Sequence, residues 1–145
     1  MDLNELRDGM YELEFGEDEV EFYYHLTQEE NAHGIMEKGL FLPDYKLSSG
    51  AIKIEQGFYD DPESYIDYEL GNPQTRRKEV MMIITRYDAL APKYDDSDII
   101  QVVDEGDKEL YLIPAENILG YVDLERKDFT VNPASEISIG TGLSF

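Results

Sequence analysis

The chain contains no cysteine and only two histidines, His25 and His33. Without thiols there is no disulfide, no thiolate metal site and no cysteine nucleophile. Two imidazoles alone do not make a zinc site, so no metal is expected. No run of eighteen apolar residues occurs, and the opening segment MDLNELR lacks the basic and apolar regions of a secretory leader. A soluble, cytoplasmic protein without membrane contact is therefore expected. Glycine-rich phosphate loops and a Gly-x-Ser-x-Gly elbow are also missing. Basic residues are scarce: 12 Lys and Arg stand against 33 Asp and Glu, a net charge of −21. Such a surface repels phosphate backbones and anionic lipid heads. Direct nucleic-acid binding through a basic groove is not expected, whereas a basic protein partner is. With so many carboxylates, pairs of the glycosidase type arise by chance and carry little weight.

Apolar residues make up 41% of the 145 positions, with 11 Tyr and 6 Phe, enough for one globular core. A single domain over 1–145 is predicted, with its core in 20–124 and peripheral segments at 1–19 and 125–145. The alternation of Val20, Phe22, Tyr24 and Leu26 with Glu21, Tyr23 and His25 predicts a strand with one buried face. His25 falls at its end, on the opposite face. Thr27 with Glu30 has capping-box spacing, and Ala32, Ile35, Met36 and Leu40 recur at helical spacing before a C-terminal cap at Gly39.

Upstream, residues 1–19 read as a short helix or strand on the edge of the core. Downstream, 41–50 reads as an irregular connection and 51–55 as a short strand or helix turn. Asp61-Pro62-Glu63 is a helix start, with Tyr65, Tyr68 and Leu70 lining that helix. The loop 71–78 holds the one dense basic cluster, Arg76-Arg77-Lys78. Val80–Thr85 is a continuous apolar run, expected to be a central strand covered on both faces. Residues 99–103 and 109–113 read as a hairpin around Glu105-Gly-Asp-Lys108, followed by a turn at 114–118 and strands at 118–124 and 128–131. The sum is an α+β domain of mostly antiparallel strands with two short helices in the first half.

Three separated pieces form a pattern: Tyr24-His25-Leu26-Thr27 before a helix, Gly57-Phe58-Tyr59 before a tyrosine-bearing helix, and a strand opening with Glu109 and closing in Pro-Ala-Glu-Asn-Ile118. In this order they resemble the ADP-ribosyltransferase fold, in its poly-ADP-ribose polymerase-like His-Tyr-Glu branch and the related small bacterial and phage domains. The resemblance spans roughly 20–122 and implies split, mostly antiparallel sheets. It implies NAD as co-substrate and transfer of ADP-ribose to an acceptor. His25 matches the histidine that bonds the nicotinamide-side ribose, with Leu26 and Thr27 beside it. Leu26 stands where the family usually carries glycine. Tyr59 matches the ring that stacks on nicotinamide, with Tyr65 or Tyr68 as the opposite wall. Glu109 matches the glutamate that stabilises the oxocarbenium-like state. The net charge of −21 opposes dianionic NAD unless Arg76, Arg77 or Lys78 folds over the pyrophosphate. The implied catalytic set is His25, Tyr59 and Glu109. A fixed carboxylate suits positive charge developing on a sugar, and flat aromatic walls suit a flat leaving group.

The rival expectation is a non-catalytic acidic interaction protein, an immunity factor or phage inhibitor that covers a basic partner surface.

Overall fold

The computed structural model describes residues 1–17, 19–42, 52–70, 78–87, 101–105 and 108–139, with backbone alone at 42, 69, 86–87, 101–105 and 108–111. Most of the predicted connections and the C-terminal tail, with Arg76 and Arg77, lie outside the described residues.

The molecule is of the α+β class. The described strands form two sheets, and every pairing within them is antiparallel. β1 (Val20–Thr27) and β4 (Val80–Tyr87) lie side by side in the larger sheet, flanked by β3 (Ile52–Lys53), β7 (Ile118–Asp123) and β8 (Asp128–Val131) in the order β3-β1-β4-β7-β8. The smaller sheet orders β2 (Leu40–Leu42), β6 (Lys108–Ile113) and β5 (Gln101–Glu105) as β2-β6-β5. Both the central position of β4 and the β5–β6 hairpin match the sequence pattern.

β4 is apolar throughout because both of its faces are covered. Met81 and Ile83 enter one cluster with Phe22, Tyr24, Phe58 and Tyr59. Val80, Met82 and Ile84 enter a second cluster with Ala32, Ile35, Met36, Leu40 and Ile113. Fully burying side chains of this size contributes about 1.5–3 kcal/mol each. On β7 the register slips between Ile83 and Ile84, with Ile83 opposite Gly120 and Ile84 opposite Ile118. Leu119 is the extra residue of this bulge, so Ile118 and Tyr121 share one face although they are three apart.

Three expectations are corrected. Residues 1–19 are not peripheral: α1 (Leu3–Phe15) is a thirteen-residue helix whose Leu6 and Met10 are fully buried in the first cluster. Its start is a capping box, Asp2 Oδ1 accepting from the Glu5 amide and Glu5 Oε1 from the Asp2 amide. The C-terminal segment likewise enters the core through Phe129, Ile137 and Ile139. Finally, Thr27 does not cap the next helix, α2 (Glu29–Lys38). Strand pairing with Val80 keeps Thr27 extended, and the Glu29 amide instead donates to Glu79 Oε1 at 3.0 Å. The far end does close at Gly39, whose φ of 92° suits glycine and whose amide donates to the Ile35 carbonyl at 2.8 Å.

The Asp61-Pro62 start signal holds for one turn. After α3 (Gln56–Asp60), Asp61 Oδ1 accepts from the Ser64 amide over α4 (Pro62–Ser64). The chain then widens into a π turn, Tyr65–Glu69, closed by the Leu70 amide on the Tyr65 carbonyl.

Candidate functional site

The end of β1, the outer flank of α2 and the start of β2 enclose an open hollow of about 430 Å³. Strand alternation and helix pitch decide what lines it. Val20, Phe22 and Tyr24 turn into the first cluster, so His25 and Thr27 emerge on the other face of the sheet, beside α2. α2 commits Ala32, Ile35 and Met36 to the second cluster. Its adjacent ridge, Glu30, Asn31, Gly34 and Lys38, then runs along the hollow. On β2, Leu40 is buried and Phe41 turns outward, 42% exposed, to close the far side.

Polar groups converge at the His25 end. Asn31 Nδ2 donates to Thr27 Oγ1 at 3.0 Å, tying the helix to the strand end. Glu30 and Lys38 are eight residues apart on α2, about 12 Å by helix rise, so the hollow carries opposite charges towards its two ends. Gly34 has open space where a side chain would stand. With an imidazole, a hydroxyl, a carboxamide, one exposed aromatic ring and an ammonium, the lining fits a flat polar ligand bearing an anionic group. The volume is in the usual range for small-ligand sites, about 300–1,000 Å³.

The residues singled out from sequence divide between the two faces of the sheet. His25 and Thr27 line the hollow. Leu26 does not; one residue out of phase, it packs against the first cluster. Tyr59 also lies in that cluster, 5% exposed, because α3 folds beneath α1. Its hydroxyl donates to Glu14 Oε1 at 2.7 Å, and its ring meets Phe58, Tyr11 and Phe15 edge to face. Burial first, and the Glu14 carboxylate second, push its phenol well above the ordinary value of 10.0. Tyr65 is held in the same cluster, its hydroxyl donating to Glu55 Oε1 at 3.2 Å. Tyr68 is 81% exposed on the π turn and lines neither cluster. The expected meeting of Tyr59 and Tyr65 with His25 is therefore corrected: a covered sheet separates them.

Glu109 stands in β6, opposite Asp104 and two residues before Tyr111, which pairs with Leu42 of β2. Its side chain lies outside the described residues. Sequence reasoning missed Asn31, Gly34, Lys38 and Phe41. The first three were legible as the helix ridge at i, i+3 and i+7 from Asn31. Phe41 was not, because it sat in a stretch assigned to irregular connection.

A second concavity of about 340 Å³ lies between Lys78, Glu79, Glu29 and the turn Asp123–Arg126. Among the described residues no cluster of His, Asp or Glu is arranged to hold a metal ion, and no helix is long and apolar enough to cross a membrane. Comparison with protein-family models, with curated proteins and with solved structures finds no match to this chain.

Proposed function

We propose that the protein is an NAD-dependent ADP-ribosyltransferase-like enzyme whose dinucleotide site is the hollow beside His25. The observation that carries this reading is the convergence of His25 and Thr27 from the end of β1 with Phe41 from β2 around one cavity. β2 in turn hydrogen-bonds to β6, the strand that bears Glu109. His25 holds the nicotinamide-side ribose, and Phe41 takes the stacking role first expected of Tyr59. Lys38 meets a phosphate at the other end of α2. Bound NAD supplies a glycosidic C–N bond that breaks with the electron pair leaving on nicotinamide, and the acceptor nucleophile takes its place on the sugar. Glu109 stabilises the positive charge that builds on the ribose.

Titration of the protein with NAD by calorimetry tests this. Binding is expected, weakened about tenfold or more by His25→Ala or Phe41→Ala. Glu109→Gln should keep binding and lose release of nicotinamide. Absence of NAD binding by the folded wild-type protein would overturn the proposal. That result would leave the second reading, a non-catalytic acidic interaction protein, which the net charge of −21 and the burial of Tyr59 away from the hollow favour.

A further inference from the structure

The outer face of α1 breaks two local rules at once. Tyr11 and Phe15, one turn apart, are 48% and 53% exposed, their ring centroids 4.7 Å from each other. Tyr59 props both rings from below, edge to face, with centroids at 5.7 and 5.6 Å. An aromatic pair is thus packed on its inner side and open to solvent on its outer side rather than folded inward. Carboxylates run beside it: Asp8 and Glu12 are exposed on the same helix. Arg7, the helix's one cation, is engaged, with Nε on Asp8 Oδ1 at 2.8 Å and Nη1 on the Tyr59 carbonyl at 3.2 Å.

The second broken rule is electrostatic. The negative end of a helix dipole is stabilised by cations, yet the last turn of α1 holds no basic residue and Glu12, Glu14 and Glu17 crowd it. Glu14 is relieved by the Tyr59 hydroxyl and by Lys53 Nζ at 3.3 Å, a charge contact rather than an aligned hydrogen bond. Glu12 and Glu17 have no such relief among the described ion pairs. A face that gives up helix stability while displaying ordered aromatic rings is shaped for an external cation.

We propose that this face of α1 is a docking surface for an arginine-bearing segment of a basic protein. Guanidinium planes stack on Tyr11 and Phe15 while their N–H groups reach the flanking carboxylates. A second copy of this chain is a poor occupant because it carries the same −21 charge. The surface lies on the opposite side of the larger sheet from the His25 hollow, so it stands whether or not that hollow binds NAD.

The test uses the full chain with two synthetic probes of equal charge, nona-arginine and nona-lysine. In titrations followed by amide chemical shifts, the largest changes are expected in 8–17, and nona-arginine should bind about fivefold more tightly than nona-lysine. The double variant Tyr11→Ser/Phe15→Ser, which leaves the charge unaltered, should abolish that preference, while Tyr68→Ser, at an exposed ring on the π turn, should retain it. Equal binding of the two peptides, or shifts spread evenly over the acidic surface, would overturn the proposal. So would a preference that survives the double variant. Should the double variant unfold, the wild-type shift map and the arginine-to-lysine ratio decide the matter without it.

Discussion

The Tyr59 phenol donates to Glu14 Oε1 at 2.7 Å and so binds α3 to α1 on the face of the sheet away from His25. Removing this hydroxyl tests which side of the molecule Tyr59 serves. Tyr59→Phe keeps the ring packing, and Glu14 keeps its contact with Lys53. It should lower unfolding stability by about 1 kcal/mol, the net worth of one hydrogen bond. NAD affinity, measured by the same calorimetry as for wild type, should not change. A large loss of affinity with stability intact would return Tyr59 to the site.

Stability should also fall at alkaline pH. Tyr59 and Tyr65 both ionise above the ordinary value of 10.0, chiefly through burial, with Glu14 adding to the effect at Tyr59 and Tyr24 and Glu55 at Tyr65. The unfolded chain releases these protons first. Their contribution is therefore complete below pH 10 and is lost progressively as the pH rises above it. Urea midpoints compared at about pH 8 and about pH 11 should show the drop. The pair Tyr59→Phe/Tyr65→Phe should flatten it, although the variant starts from a lower stability. An equally steep drop in that variant would assign the alkaline loss to other groups.

Much of this architecture was legible because periodicity reports burial. Val20–Leu26 alternates since one face meets α1, and Val80–Thr85 does not since both faces are covered. The hairpin, the Gly39 cap and the one-turn start at Asp61-Pro62 were also readable from local chemistry. The site was less so. The Gly57-Phe58-Tyr59 triplet has the composition of a ligand wall, but Phe58 and Tyr59 are apolar enough to be buried, and only the packing of α1 decides that they are. The capping of α2 was missed for a different reason. Thr27 and Glu30 have the right spacing, yet the carboxylate that reaches the Glu29 amide belongs to Glu79, fifty positions away in sequence. Local pattern cannot see a partner brought in by sheet pairing.

Asn132 makes such long-range connections inside the protein. Its Nδ2 donates to the carbonyls of Met36, Ala115 and Ile118 at 3.2, 3.1 and 2.9 Å, and its Oδ1 accepts from the Ala134 amide. It is 3% exposed and holds the last turn of α2 against β7. Asn132→Ala takes this donor from the Met36 and Ile118 carbonyls, while the Ala115 carbonyl still accepts from the Ile118 amide, and should cost about 1–3 kcal/mol. Asn132→Asp should cost more near neutral pH, because a carboxylate would face the same carbonyls, and part of the loss should return on acidification as the acid regains a donor. Urea unfolding at two pH values measures both. A neutral effect of Asn132→Ala would show that the clamp is dispensable.

Gly34 offers the sharpest separation of stability from function. A glycine inside a helix costs about 0.5–1 kcal/mol relative to alanine through lost backbone entropy. Here no packing requires it: nothing stands within 4 Å of where its Cβ would be. It does, however, line the hollow between Asn31 and Lys38. If glycine is kept so that a ligand can approach the α2 backbone, Gly34→Ala should raise stability by about 0.5–1 kcal/mol and at the same time weaken NAD binding. Gly34→Leu should block binding while the fold survives, since that side chain enters open space. Thermal unfolding and calorimetry on the same samples read the two effects separately. A gain in stability with affinity unchanged, in both variants, would mean that the hollow beside His25 does not receive the dinucleotide.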